Sequence, residues 1–423
     1  MFEFSNIPRC KYKRLSSIIM SSQFNPDELE ALEWLNTEYF TQILIKYENA
    51  PELIINDLKL SPASAQGDHY ASVMFRAFVE YTTSNGSCSK SLILKTMPEQ
   101  GGRKKEMVDD SHIFHTEIAM YTEVLPKFEA ILRSVGDNTS FYVPCIYHSL
   151  EPRQVMVFDD LVPQGYQVIR DRSANIEEIN AALEKLAKWH AISQKMITEE
   201  PQLFDNLRYN LSTLPNFLNQ SFLTNALPNF IYMLNEVESL QKYKKHFEAM
   251  RGHLIQRWAD SLGEYRKNPQ KNAYYVLCHG DFHIRNLMFK NNSCMFIDFQ
   301  LSHVGPLVND FLYAMYMFFG PDERGKLRDE LISHYLKTFA DTLQKIGSVE
   351  KAPSFQEFLS QLIDNKYNEL MLLTTFLPIQ IASRKNAIDP FRRRTSMYKD
   401  KDYQDEVEFH LERMQKMGYF NDD

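Results

Sequence analysis

His279-Gly280-Asp281-Phe282-His283-Ile284-Arg285-Asn286, followed after a short gap by Phe296-Ile297-Asp298-Phe299-Gln300, is the stretch that decides how this 423-residue chain folds. An aspartate such as Asp281 can accept the proton of an attacking hydroxyl. Asn286, five positions on, and Asp298 beyond it can hold metal ions on ATP. Phosphoryl transfer asks the protein for positioning and for neutralisation of phosphate charge, and these three side chains can supply both. The flanks agree. Tyr274 to Leu277 is a short apolar run entering the loop, and Leu287-Met288-Phe289 and Met295-Phe296-Ile297 enclose the turn signal Asn291-Asn292-Ser293. The pattern predicts loop, strand, turn, strand, with Asp298 at the end of the second strand. A metal-dependent hydrolase with His279, Asp281, His283 and Asp298 as ligands would use the same loop. A nucleotide lobe elsewhere in the chain separates the two readings.

Composition narrows the classes. Hydrophobic residues make up 44% of the chain, enough for sizeable cores. The net charge of −8 comes from interspersed charges of both signs without a basic stripe, so no nucleic-acid partner is expected. Five cysteines, odd in number and widely spaced, lack zinc-type spacing and read as thiols in a reducing compartment. No apolar run reaches membrane-spanning length, and the stretch Phe311 to Phe319 reads as a buried helix. The first residues carry charge and no sustained apolar segment, unlike a secretory signal. A cytoplasmic protein without a membrane partner is the expectation.

Upstream of the loop the periodicity is that of a small sheet. Residues 1–24 read as a lead-in. Asn25-Pro26-Asp27-Glu28 reads as the start of an amphipathic helix through Leu29, Leu32, Leu35, Tyr39 and Ile43. Tyr70 to Tyr81 and Ser91 to Lys95 read as strands joined by a hairpin at Asn85-Gly86. A helix follows with Phe114, Ile118, Tyr121 and Leu125 on one face, then strands at 141–147 and 154–158. After Asp159-Asp160-Leu161 helical patterns dominate, opening with a capping box at Asn175 and Glu178. The expected lobes are 25–160 and 161–423.

Within this frame more residues acquire roles. Lys95 ends a strand and shares a face with Ile93, opposite Leu92 and Leu94. It can reach nucleotide phosphates, although a lysine snorkelling at a sheet edge shows the same pattern. Glu117 lies on the apolar face of its helix, where a carboxylate needs a cation, and Lys95 is the natural one. Gly67 and Ser72 lie in Gln66 to Ser72, where a phosphate-covering loop belongs, although one glycine is few. Asp159, Asp160 and Leu161 form a hinge whose backbone can meet adenine, or a plain connector. Asp310 either braces the 279–286 loop or simply complements a helix N-terminus. Trp189 and His190 read as packing residues. Strand Lys, helix Glu and the later Asp, Asn and Asp occur in kinase order, a conjunction far rarer than any member.

The His-Gly-Asp-x-x-x-x-Asn loop resembles the aminoglycoside phosphotransferase and choline kinase superfamily. The strings Gly67-Asp68-His69-Tyr70-Ala71-Ser72, Leu92-Ile93-Leu94-Lys95, Phe158-Asp159-Asp160-Leu161, Cys278 to His283 and Ile297 to Gln300 are similar to the ecdysteroid-kinase-like family. The resemblance spans roughly residues 30 to 380. It implies an α+β, bilobal protein-kinase-like fold, with a small N-terminal antiparallel β-sheet lobe and a larger, mainly helical C-terminal lobe. It also implies ATP and Mg2+ as cofactors and phosphorylation of a hydroxylated small molecule, an ecdysteroid or a xenobiotic alcohol among the candidates. In the family's pattern Asp281 is the base, Asn286 and Asp298 hold metal, Lys95 pairs with Glu117, and Asp310 is structural. A catalytically silent binding protein on the same fold is the alternative. Asp298-Phe299-Gln300 stands where protein kinases have Asp-Phe-Gly and no Ala-Pro-Glu follows, which argues against a protein substrate.

Overall fold

Alternation of apolar and polar residues from Val73 to Tyr81 builds the first sheet, because successive strand side chains point to opposite faces. In the computed structural model, which describes residues 30–63, 72–99, 111–170, 172–267, 269–385 and 394–421, Val73, Phe75, Ala77, Val79 and Tyr81 all face the core. They belong to β2 (Val73–Thr83) in an antiparallel sheet with β1 (Ile54–Pro62), β3 (Gly86–Thr96), β4 (Cys145–Ser149) and β5 (Val155–Asp159), in the order β1-β2-β3-β5-β4. The β2–β3 hairpin turns at Ser84 and Asn85, and Gly86 takes the positive φ, +115°, that a side chain would resist. Helix α1 (Thr37–Tyr47) lays Phe40, Ile43 and Leu44 on the core face of the sheet.

The leading helix begins later than its apolar spacing predicts. Residues 33 and 34 form a turn and the helix starts at Thr37, capped by Asn36, whose side chain accepts the Tyr39 N–H at 3.1 Å. The Asn side chain satisfies an end group that a continuing helix would have bonded itself. The cap expected at Asn25 lies outside the described residues.

The chain divides into two units. One comprises residues 1–114 and 144–164, the other residues 115–143 and 165–423. The second is mainly helical. The chain enters it within α2 (Ile113–Ala119), and a wide π turn at Met120–Val124 and α3 (Leu125–Ser134) follow. A second π turn, Leu372–Phe376, likewise precedes a Leu-Pro pair, Leu377-Pro378. Proline supplies no N–H for the i→i−4 ladder, and the wide turn absorbs the missing bond without ending the helix.

Helix α4 (Ile176–Glu199) opens with the expected capping box, Asn175 accepting from the Glu178 N–H and Glu178 from that of Asn175. Helix α5 (Val308–Met317) carries Asp310, and α4 packs on α6 (Arg328–Lys345). Two small antiparallel ladders complete the unit. Strand β6 (Gln167–Val168) pairs with β8 (Leu287–Lys290), which pairs with β9 (Ser293–Phe296), and β7 (Tyr275–Cys278) pairs with β10 (His303–Pro306). No helix among the described residues is long and apolar enough to cross a membrane.

Candidate active site

Strand β7 delivers the chain to the 279–286 loop and is held from behind by α4. The Trp189 indole N–H donates to the Leu277 carbonyl at 2.5 Å, and the Leu277 N–H donates to Ser193 Oγ at 2.9 Å. At Gly280 φ is +82°, and a Cβ would stand 2.1 Å from the Leu301 carbonyl oxygen. Only glycine fits, for both backbone and space. Asp310 grips the loop from α5. Its Oδ2 accepts the His279 N–H at 2.6 Å and its Oδ1 the Gly280 N–H at 3.0 Å. His190 Nε2 lies 3.2 Å from the same Oδ2, and His190 Nδ1 lies 2.6 Å from the Tyr335 hydroxyl. Burial pushes the Asp310 carboxyl up, but hydrogen bonding and charge from His190 and the loop donors outweigh it and hold the group below the usual carboxylate range. Asp310 is therefore a brace, and its place at a helix start is incidental. His190, expected only to pack, orients that brace.

The His279 ring is structural. Its Nε2 lies 3.1 Å from the Ile297 carbonyl, which can only accept, so this nitrogen carries the proton. The ring packs among Trp189, Phe282, Phe296 and Phe299. Phe299 in turn stacks on Trp189 at 5.6 Å. The hydrolase reading needs His279 as a ligand, and this ring points into aromatic packing. Among the described residues no group of three or more His, Cys, Asp or Glu side chains is arranged to hold a metal.

Asp281 and Asn286 are brought together. Asn286 Nδ2 donates to the Asp281 main-chain oxygen at 3.0 Å and to its Oδ2 at 3.1 Å. Those bonds use the amide hydrogens and leave Oδ1 as the atom for a cation. His283 Nδ1 accepts the Arg285 N–H at 3.1 Å, so its protonated Nε2 faces Asp281 Oδ2, 3.4 Å away. Burial pushes the Asp281 carboxyl up. His283 and the Tyr313 hydroxyl pull it further down, and the net direction is downward. Burial lowers His283, but the Asp281 charge overcomes this and the imidazole is raised. Asp298 follows β9 with φ +67°, unusual for a side-chain-bearing residue, and Gln300 Nε2 lies 3.4 Å from its Oδ2. The Ile297 N–H donates to the Asn286 carbonyl at 3.1 Å, which ties the Asp298 turn to the 279–286 loop.

The remaining sequence-derived residues fall as follows. Lys95 lies on β3, the middle strand of the five, opposite Met74 and Met156, and is 3% exposed. The snorkelling edge lysine is thereby excluded. Glu117, in the second unit, is 1% exposed. Ser72 is buried, and Gly67 lies outside the described residues. Asp159 forms a 3.5 Å ion pair with Lys90. The Asp160 carboxylate is a strut. It takes Arg76 Nε at 2.6 Å, Ser91 Oγ at 2.8 Å and the Val162 N–H at 3.0 Å, and the Asp160 N–H itself goes to the Ser91 carbonyl. Leu161 is buried, its carbonyl accepting the Gln164 N–H.

Sequence reasoning missed His190, Tyr335 and Tyr313. Tyr313 had a signal, since it sits three residues after Asp310 on one helix face. His190 and Tyr335 are brought to Asp310 only by packing.

The model of the ecdysteroid kinase-like family matches residues 66–348, two-thirds of the sequence. The chain belongs to the ecdysteroid kinase-like family. Its sheet unit and helical unit are the α+β, bilobal protein-kinase-like fold expected of that family. Solved structures with similar folds include a spectinomycin phosphotransferase in complex with ADP and spectinomycin (11% identity, 89% of this chain and 99% of that chain, TM-score 0.45). Others are an ethanolamine kinase of Plasmodium vivax (13%, 96% and 98%, 0.41) and a choline kinase of Cryptosporidium parvum Iowa II (11%, 91% and 98%, 0.43). At such identities and scores the family match, and not these structures, establishes kinship. No curated protein matches this ecdysteroid kinase-like chain.

Proposed function

We propose that this protein is an ATP- and Mg2+-dependent small-molecule kinase that transfers the γ-phosphoryl group to a hydroxyl of a lipophilic molecule, an ecdysteroid or a xenobiotic alcohol. One observation carries the reading: Asp281 is held anionic beside Asn286, on a loop whose backbone is clamped by Asp310. A carboxylate with a lowered pKa is a weak base. That suits a loose phosphoryl-transfer transition state, in which the group orients the hydroxyl and takes its proton late.

Asn286 Oδ1 and the Asp298 carboxylate are hard oxygen donors. Two such side chains with the phosphates make the sparse protein ligand set that Mg2+ favours. Bound there, the ion would neutralise charge on the phosphates. Lys95 is assigned to the α- and β-phosphates, and Glu117 is its proposed counter-ion, since a charge buried this deeply requires one. Gly67 and Ser72 are assigned to the phosphate-covering loop. The main chain at Asp159, Asp160 and Leu161 is assigned to adenine, while the Asp160 side chain stays with Arg76.

The deciding experiment is a screen of hydroxylated lipophiles with ATP and Mg2+, read by product mass. Phosphorylated product that requires Asp281 supports the proposal. ATP-independent hydrolysis, or ligand binding without turnover across the panel, overturns it.

A further inference from the structure

Strand β1 is the outer strand of its sheet, and among the described residues no strand pairs with its other side. It runs nine residues, Ile54–Pro62. Along an antiparallel strand every second residue turns its N–H and C=O away from the neighbour, and such an edge is a template for another strand. Beside α1 the edge borders a groove of ≈ 480 Å³, lined by Leu35 and Thr37 at the helix start and by Ile55, Leu58 and Leu60 of β1.

The two faces of this edge differ. The register with β2 sets Ile55, Leu58 and Leu60 opposite Tyr81, Val79 and Ala77, which lie in the core. Residues opposite each other in a ladder share a face, so these three point to the core side, where they are only half-buried. A register shift between Ile55 and Asp57 takes up Asn56, whose Nδ2 donates to Thr82 Oγ1 at 2.8 Å. Asp57 and Lys59, two residues apart, share the other face. They form a 2.7 Å ion pair with side chains 44% and 70% exposed.

These charges specify a partner for the edge. A strand that joins it must keep its apolar face on the core side, because a slip of one residue would turn every side chain over. For a second copy of β1 running antiparallel, the pairing is then centred on a residue and not between two. Centring on Asp57 or on Lys59 sets like charges opposite each other. Centring on Leu60 or Ser61 sets a leucine opposite Pro62, which has no N–H for the ladder. Centring on Asn56 falls on the register shift. Centring on Leu58 sets Asp57 opposite Lys59 of the second copy and Lys59 opposite its Asp57, a favourable cross-strand pair made twice. The two Leu58 side chains meet on the axis, and Leu60 of the second copy comes opposite Asn56, beside the groove. A lone edge lysine repels another edge. An aspartate two positions away turns that repulsion into attraction in this one register.

We infer that β1 is a self-association edge: two copies of this chain join antiparallel through β1 about a two-fold axis at Leu58, and two Asp57–Lys59 pairs between the copies fix the register. The five strands of one sheet then continue into the five of the other. A two-fold contact of this kind is self-complementary, each copy giving and receiving the same residues. The contact is short, at the small end of specific interfaces, so the dimer forms and dissociates with concentration. The inference stands apart from the kinase reading, since none of these residues belongs to the site assigned above.

The test is sedimentation velocity of the full chain from about 1 to 100 µM, a range that brackets a weak dimer. Wild type is expected to pass from monomer to dimer across it. Asp57→Lys and Lys59→Asp each set like charges opposite each other twice, and each should weaken association by about tenfold or more. The double variant Asp57→Lys/Lys59→Asp restores complementary pairs and should dimerise like wild type. The decisive arm mixes the two single variants. One presents two lysines and the other two aspartates, so together they should form a heterodimer although neither pairs with itself. Melting curves confirm the fold of each variant. A wild-type protein that stays monomeric throughout overturns the inference. So does a dimer that survives both single reversals, because its interface then lies elsewhere. Protection of amides 54–62 from hydrogen exchange that does not grow with protein concentration also overturns it, since the edge is then covered within one chain.

Discussion

Replacing Asp310 by Asn should release the 279–286 loop while changing almost nothing in shape. The carboxylate receives the His279 N–H (2.6 Å) and faces His190 Nε2 (3.2 Å) through Oδ2, and takes the Gly280 N–H (3.0 Å) through Oδ1. An amide keeps one oxygen. If it serves His279 and His190, the NH2 confronts the Gly280 N–H and leaves that donor buried without an acceptor. A hydrogen bond to a charged group contributes about 1.5–3 kcal/mol, and a stranded buried donor costs about 1–3 kcal/mol. The expected loss is about 3–5 kcal/mol. For a unit of this size that lowers Tm by about 6–10 °C, taking ~2 °C per kcal/mol. Because 1.4 kcal/mol is tenfold, exchange of the His279 and Gly280 amides should accelerate by about 100-fold or more. Hydrogen exchange on a peptide covering 277–283, beside a melting curve, measures both. Tyr335→Phe, which removes only the neutral partner of His190, should cost about 1 kcal/mol. Exchange at the loop within about threefold of wild type in Asp310→Asn would show that the clamp contributes little energy and that α5 merely lies near the loop.

Other outcomes follow from the same geometry. Asp281→Asn should leave ATP–Mg2+ affinity nearly unchanged while turnover falls by about 10²–10⁴-fold, whereas Asp298→Asn should weaken Mg2+ affinity as well. A magnesium titration of rate that rescues both variants equally would contradict this division. Lys95→Met should abolish most turnover and weaken nucleotide binding, and unchanged binding would refute the phosphate role. Gly280→Ala should destabilise the helical unit by at least about 1–2 kcal/mol from its left-handed backbone alone, before the clash with Leu301, as read from urea midpoints. In the sheet unit, burial raises the Asp160 carboxyl, but bonds from Arg76, Val162 and Ser91 bring it below its ordinary value of 3.8. Its folded value is the lower one, so its contribution is complete above 3.8 and lost as pH falls through the folded value. Arg76→Met should therefore cost about 2–4 kcal/mol at neutral pH, with urea midpoints of the two proteins converging in acid.

Local pattern sufficed for much of the molecule. Period-two alternation at Val73 to Tyr81 places one face of β2 in the core whatever surrounds it, and Asn175 with Glu178 starts α4 because capping bonds span only three residues. The spacing of Asp281, Asn286 and Asp298 is legible because a loop and the short strands after it are encoded locally. Asp281 and Asn286, five apart, do meet. What local pattern left undecided concerns groups far apart in the chain. Whether Asp310 braces a loop or only complements a helix end depends on where α5 lies relative to residue 279. Whether His190 packs or orients depends on Asp310 and Tyr335, each more than a hundred positions away. The leading helix begins at Thr37 because the Asn36 side chain caps it there, a choice that apolar spacing does not record. The chain of hydrogen bonds from the Trp258 indole through Asn368 to Asn309 exists only once three distant segments are brought together. Periodicity reports which face of an element is buried. Hydrogen bonds between distant buried groups report what that face meets, and only the folded chain supplies the meeting.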